Sequence, residues 1–260
     1  MNESPVANRC HQSRRSSAAR LSIPATIALL PARTIFLLAA QALFALIFRF
    51  RHDAQPWRSS AAWWTVYGNL ADLGCLAMLI AVTRRQGLRL RDLVPLSTLG
   101  PFKTVLRGLG YFLLVMPVFL GGFVLSSYAV YGDIRPHVDA ALLGSRRLPV
   151  WAVIYSVTLW WPFWSATEEI TYQTFFLERL RRPFGGPAGA MALVGFWWAA
   201  QHSALPFLAD IRYVLWRLLG FLPGVMALMT IYLRTRQIGP LIVAHSLMDF
   251  VASASTLYWG

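Results

Sequence analysis

The chain has 260 residues, of which 57% are hydrophobic and 13% are charged, and its net charge of +13 comes almost wholly from Arg. A soluble domain is about a quarter charged, so this composition excludes one and predicts an all-α fold, a polytopic transmembrane helix bundle. The basic residues are scattered between apolar stretches rather than gathered on one face, which excludes nucleic acid as a partner.

The first 22 residues are polar and rich in Ser and Arg, and we expect them to form a disordered cytoplasmic tail. Seven apolar stretches follow, most with the ~20 residues that a helix needs to cross a bilayer. They comprise residues 29–49, 61–82, 107–131, 149–178, 188–208, 213–233 and 238–258. We expect the fourth to form one unusually long helix, and Pro31 and Arg33 leave the start of the first open.

The loops carry two signals of membrane topology. Residues 83–104 mix Arg with Leu and Val, which is typical of an amphipathic segment lying along the interface. With a cytoplasmic N-terminus, sixteen basic residues, Arg33 among them, fall on the cytoplasmic side and seven on the other, with Arg217 unassigned. This bias predicts seven spans with the N-terminus in the cytoplasm. The scarcity of Lys indicates GC-rich coding and hence a bacterial cytoplasmic membrane.

Six acidic and histidine side chains fall within the apolar stretches, where a titratable group is costly and usually has a function. They are Asp72, Glu168, Glu169, His202, His245 and Asp249. Asp72 stands alone in the second stretch, and we expect it to have a structural, hydrogen-bonding role. The other five lie in the fourth, fifth and seventh stretches and form the candidate site.

Helical spacing predicts which of these side chains face one another. Glu169 and Gln173 are four residues apart and share a face, so the Gln173 amide is expected to hydrogen-bond Glu169. Glu168 points ~100° away from Glu169, which leaves it free to face a cavity. His245 and Asp249 are also four apart and share a face.

Two chemistries are open if these residues converge in the bundle. A carboxylate and an imidazole can activate a water molecule while other groups hold an oxyanion. Glu, His, His and Asp are equally acceptable ligands for a divalent metal such as Zn²⁺. The spacing alone leaves the requirement for a metal open.

Three segments carry a resemblance to a known family. Residues 168–173 read EEITYQ, residues 198–202 read WAAQH and residues 245–249 read HSLMD. They resemble the EExxxR, FxxxH and HxxxN or HxxxD motifs of the CPBP intramembrane proteases, which include type II CAAX prenyl endopeptidases and bacteriocin-processing enzymes. The resemblance covers about residues 148–258. It implies a catalytic core at 148–260, preceded by N-terminal spans at 23–147.

The resemblance also implies roles for the candidate residues. Glu168 with His202 would activate the attacking water, with Glu169 in support. His245 and Asp249 would stabilise the tetrahedral oxyanion. The family has been described both as metalloproteases and as metal-free glutamate proteases, so zinc stays open. The implied activity is endoproteolysis of a peptide or membrane protein in the lipid bilayer.

Two positions depart from the family pattern. Gln173 replaces the usual Arg and removes a fixed positive partner of the glutamates, while Trp198 replaces Phe with a bulkier aromatic at a packing position. Gln173 favours an alternative, a catalytically inactive membrane scaffold or immunity protein. A second alternative is a proton-coupled transporter that uses Glu168 and Asp72 as relay groups.

Overall fold

The computed structural model describes residues 21–94, 99–134 and 148–258, so residues 1–20 of the predicted tail lie outside the described part. The helices are α1 Ile23–Ala28, α2 Ala32–Phe50, α3 Pro56–Ala61, α4 Trp64–Arg85, α5 Pro101–Tyr131, α6 Val150–Thr158, α7 Trp160–Glu168, α8 Glu178–Leu180, α9 Pro187–Gln201, α10 Ile211–Thr235 and α11 Ile238–Tyr258. A 3₁₀ helix at Leu90–Leu93 and a π-helical segment at Glu169–Leu177 complete the described elements.

The predicted all-α transmembrane bundle is confirmed. Helical segments occupy all seven apolar stretches, and four are long and apolar enough to cross a membrane by length and composition: Ile23–Phe50, Trp64–Arg85, Pro101–Tyr131 and Ile211–Thr235. The first of these begins at Ile23 rather than residue 29, with a short break before Ala32. Many large apolar side chains on α5 are exposed, for example Leu125 at 70%. Such a surface suits lipid rather than water, and the protein is an integral membrane protein.

The prediction of one long helix in the fourth stretch was wrong. The helix is interrupted at Leu159, between α6 and α7, and α7 continues as a π-helix from Glu169. Pro162 explains the first break, because it has no N–H for the carbonyl of Thr158 and its ring would collide with that carbonyl. π-Helical turns are rare in proteins, and those that occur are often at functional sites. Here one begins between the two glutamates.

The fifth stretch also ends earlier than predicted. Helix α9 stops at Gln201, so His202 caps the helix and opens an irregular loop that runs to Asp210. Pro206 disfavours the helical conformation for the residue before it, which prevents the helix from continuing to residue 208. His202 is therefore set at the end of a helix, where its side chain projects into the bundle.

The helices that carry the candidate residues are closely packed by their neighbours. Helices α10 and α11 both pack on α5, and α7 packs between α4 and α11. At the contact between α5 and α10, a Cβ on Gly122 would lie 2.6 Å from the carbonyl oxygen of Gly220, and one on Gly224 would lie 2.3 Å from the Phe119 ring. Small residues at these positions let the backbones approach closely, as is usual in membranes.

The segment predicted to lie along the interface is partly described. Residues 83–85 belong to α4 and residues 101–104 to α5, while Leu90–Leu93 form a 3₁₀ turn. Leu90 and Leu93 pack against the main hydrophobic core. Residues 95–98 lie outside the described part, and the interfacial placement stays a prediction. So does the division of the chain at residue 147.

Candidate active site

Glu168, the last residue of α7, lies at the centre of a buried cluster. Its side chain is fully buried, at 0% exposure. The Trp198 indole N–H donates a hydrogen bond to Glu168 Oε2 at 2.5 Å. The same oxygen lies 3.6 Å from His245 Nε2 and 3.9 Å from His202 Nε2. Helices α7, α9 and α11 thus bring one carboxylate oxygen next to two imidazoles.

The surroundings of His202 define its tautomer. Its Nδ1 lies 2.9 Å from the carbonyl oxygen of Trp198, and a carbonyl only accepts hydrogen bonds. Nδ1 therefore carries the hydrogen, and in the neutral ring Nε2, 3.9 Å from Glu168 Oε2, is the hydrogen-bond acceptor. The ring stacks on Phe221 with centroids 3.8 Å apart, while Arg217 Nε donates to the backbone carbonyl of His202 at 3.0 Å. These contacts fix the orientation of the ring.

His245 connects the remaining acidic residues. Its Nδ1 lies 3.0 Å from Glu169 Oε1, and its Nε2 lies 3.6 Å from Asp249 Oδ2. The Gln173 amide donates to Glu169 Oε2, as the spacing of the two residues predicts. Glu169 therefore holds one side of the imidazole, and Nε2 is left facing Glu168 and Asp249. All five residues proposed from the sequence lie in one cluster.

The cluster contains a cation that the sequence analysis missed. Arg33 is 1% exposed, and its Nη2 lies 2.5 Å from Asp72 Oδ1 and 3.5 Å from Glu168 Oε1. Its guanidinium lies 4.2 Å from the centre of the Trp164 ring. Assigning Arg33 to the cytoplasmic basic residues was wrong, which leaves fifteen on that side and the bias unchanged in sign.

Asp72, which stands alone in its own stretch, pairs across the bundle with Arg33. The available signal was that the first span holds Arg33 away from its ends and the second holds Asp72, of opposite sign, and charges buried in membranes tend to pair with one another. Helices α2 and α4 pack together, so the two side chains meet. Asp72 reaches the cluster through Arg33.

Trp198 has more than the packing role expected for it. Its ring stacks on Tyr172 with centroids 5.3 Å apart and an interplanar angle of 9°, and the Tyr172 hydroxyl donates to Gln201 at 3.0 Å. The indole N–H, however, bonds Glu168 directly. Phe, the usual residue of the family pattern, has no such donor.

The arrangement of the donor atoms decides whether the cluster can hold a metal ion. Among the residues that the structure describes, no group of three or more His, Cys, Asp or Glu side chains is arranged to hold a metal ion. Glu168 Oε2 already accepts the indole hydrogen bond, and His245 Nδ1 faces Glu169. The donor set as arranged does not fit Zn²⁺, and we derive no step through a metal.

The fold and the cluster define an integral membrane protein with a buried carboxylate–imidazole site, the kind of centre that activates water for hydrolysis. Comparison with family models agrees: residues 147–251 match the model described as type II CAAX prenyl endopeptidase Rce1-like. The match confirms the resemblance drawn from the three motifs, and it supports a hydrolase of the protease type. No curated protein and no solved structure matches the chain.

Proposed function

We propose that the protein is an intramembrane endopeptidase that hydrolyses a peptide bond in or beside the bilayer. The observation that carries this proposal is the position of Glu168 Oε2, which lies 3.6 Å from one imidazole Nε2 and 3.9 Å from another in a buried site. A water molecule between Glu168 Oε2 and His202 Nε2 would have a general base on one side and a hydrogen-bond acceptor on the other.

The proposed reaction begins with this water molecule. Glu168 takes a proton from it while the unprotonated Nε2 of His202 accepts its second hydrogen and orients it. The water oxygen forms a bond to the peptide carbonyl carbon, and the carbonyl electron pair moves onto its oxygen. The oxyanion is stabilised by His245, which Asp249 orients or assists with a protonated hydroxyl. Collapse breaks the C–N bond, and Glu168 delivers its proton to the leaving nitrogen.

The depth of the site supports a substrate within the membrane. Glu168 lies eleven residues before Arg179, at the far end of the π-helical segment, and its side chain is fully enclosed by the bundle. A carboxylate at that depth is reached from the bilayer or from a cavity in the bundle. The substrate is a peptide or a membrane protein rather than a prenylated CAAX protein. The enzyme lies in the bacterial cytoplasmic membrane with its N-terminus in the cytoplasm.

The test compares neutral variants at the centre of the cluster with one outside it. The full chain is reconstituted in liposomes with a pool of synthetic single-span peptides, and cleavage is mapped by mass spectrometry. Glu168→Gln keeps the acceptor for Trp198 but cannot take a proton, and His202→Ala removes the orienting imidazole. We expect each to lower kcat on the order of 10²- to 10⁴-fold. Glu178→Gln, which removes a carboxylate outside the cluster, is the matched control.

Undiminished cleavage by both the Glu168 and the His202 variants would contradict the proposal. Absence of cleavage by the wild type, together with a gain of cleavage in Gln173→Arg, would favour the inactive scaffold or immunity protein instead. The proton-coupled transporter is disfavoured by the salt bridge of Asp72 to Arg33, because a relay needs a carboxylate that exchanges protons freely.

A further inference from the structure

The cation beside the glutamates has a different origin from the one that the family pattern implies. The pattern places an Arg four residues after the second glutamate, where this chain has Gln173. Gln173 contacts Glu169 and brings no charge. Arg33 approaches Glu168 from α2, outside the segment that matches the family model.

The environment of Arg33 makes its charge effective. The guanidinium is ionised in all protein environments, and here it is withdrawn from solvent at 1% exposure. Coulomb interactions are much stronger in such a medium than in water. Two carboxylates lie against one cation, Asp72 at 2.5 Å and Glu168 at 3.5 Å. A pair made only to neutralise Asp72 would not need the second carboxylate so close.

The contacts of Arg33 also fix its direction. Asp72 holds Nη2, and the Trp164 ring packs against the face of the guanidinium at 4.2 Å. The side chain is therefore held from two sides, and the Nη2 that meets Asp72 also lies 3.5 Å from Glu168 Oε1. The other oxygen, Oε2, is left to Trp198 and the two histidines. Each carboxylate oxygen of Glu168 thus has its own neighbours.

We propose that Arg33, held in place by Asp72, is a positioning residue that sets a positive charge beside Glu168 and directs this carboxylate at the two histidines, and so supplies the charge that Gln173 lacks. This inference rests on the proposed hydrolytic function. It extends the site to a span outside the matched segment. In the family pattern a cation at position 173 would stand against Glu169, whereas here the charge serves Glu168.

The test must separate a role for Glu168 from a role for Asp72. The double variant Arg33→Gln/Asp72→Asn replaces the ion pair with two neutral amides of similar size, so neither member is left as an unpaired buried charge. Arg33→Lys keeps the positive charge. Arg179→Gln, which removes a half-buried Arg bonded to Gln86, is the matched control, and Glu168→Gln reports on the proposed function.

All variants are purified in detergent, checked for folding by size exclusion and thermal unfolding, and assayed with one peptide that the wild type cleaves. We expect the folded double variant to lose kcat on the order of 100-fold, with KM changed by less than about threefold because a transition-state interaction is removed. Arg33→Lys should retain at least about ten times the kcat of the double variant. Arg179→Gln should match the wild type.

Three outcomes would overturn the inference. Wild-type kcat in the folded double variant, with cleavage abolished in Glu168→Gln, would show that Arg33 serves only Asp72 and would leave the proposed function intact. Loss of kcat in a folded Arg33→Lys equal to that of the double variant would show that the charge is not what matters. Normal cleavage by Glu168→Gln would overturn this inference, and normal cleavage by His202→Ala as well would overturn the proposed function with it.

Discussion

The two parts of the bundle contribute to the site in different ways. The segment that matches the family model, residues 147–251, carries the motif residues Glu168, His202, His245 and Asp249. The spans before it carry no recognisable motif, yet α2 supplies Arg33 to the same cluster and Gln41 to the loop after His202. A motif therefore identifies the reacting groups but not the groups that hold them.

The largest effect is expected within the matched segment, at His245. His245→Asn keeps an N–H donor near the position of Nδ1, facing Glu169, but removes Nε2 from Glu168 and Asp249. Loss of one oxyanion donor typically lowers kcat by about 10²- to 10³-fold, and we expect a loss of that size, measured as kcat in the liposome assay. An unchanged kcat would remove His245 from the mechanism. His245→Gln, which keeps a donor near Nε2, is the control and should be less impaired.

The next effect tests the N-terminal spans through Gln41, which is fully buried. Its amide donates to the carbonyl of Phe207 at 3.0 Å, and its oxygen accepts the Phe207 N–H at 2.7 Å and the Tyr67 hydroxyl at 3.2 Å. Gln41→Ala removes the acceptor of the Phe207 N–H and of the Tyr67 hydroxyl, while the Phe207 carbonyl keeps the Trp57 indole as a donor. We expect the loss to cost about 1–3 kcal/mol of stability. Displacement of the loop should lower kcat by about 10- to 100-fold.

The measurement for Gln41 combines thermal unfolding in detergent with kcat. Gln55→Ala, at an exposed position between α2 and α3, is the matched control and should change neither. If Gln41→Ala lowers stability but leaves kcat intact, the N-terminal spans support the fold of the loop without placing His202. Arg33 would then be the remaining evidence that the N-terminal spans position groups of the site.

A smaller effect is expected at Trp198, back in the matched segment. Trp198→Phe restores the residue of the family pattern and removes the indole donor to Glu168 Oε2. A hydrogen bond to a charged group contributes about 1.5–3 kcal/mol. Because this one orients the carboxylate and does not touch the substrate, we expect the lower end of that range, a fall in kcat of about tenfold. An equal or higher kcat would show that the indole only packs against Tyr172. Trp197→Phe, beside it but outside the cluster, is the control.

The sequence predicted most accurately what is local along the chain. The shared face of Glu169 and Gln173 followed from helical spacing, and the uninterrupted hydropathy of residues 238–258 gave the bounds of α11. Pro162 was a visible signal for the break in the fourth stretch. The contacts of Arg33 and Trp198 with Glu168 join distant helices, and spacing within one helix carries no information about them. The roles of the clustered residues stay predictions.

The smallest effect is expected at Gln173. Substitution there tests whether Arg33 of the N-terminal spans replaces the Arg that the family pattern places in the matched segment. If Arg33 already supplies the positive charge, Gln173→Arg adds a second cation against Glu169 and should change kcat by less than about threefold. In the neutral Arg33→Gln/Asp72→Asn background, the same substitution should instead raise kcat by about tenfold, since it returns a buried charge to the glutamate pair. Gln173→Lys in both backgrounds separates charge from guanidinium geometry. A large gain in the wild-type background would mean that Arg33 does not perform the role of the missing Arg, and that the substitution at position 173 reduced the activity of this chain.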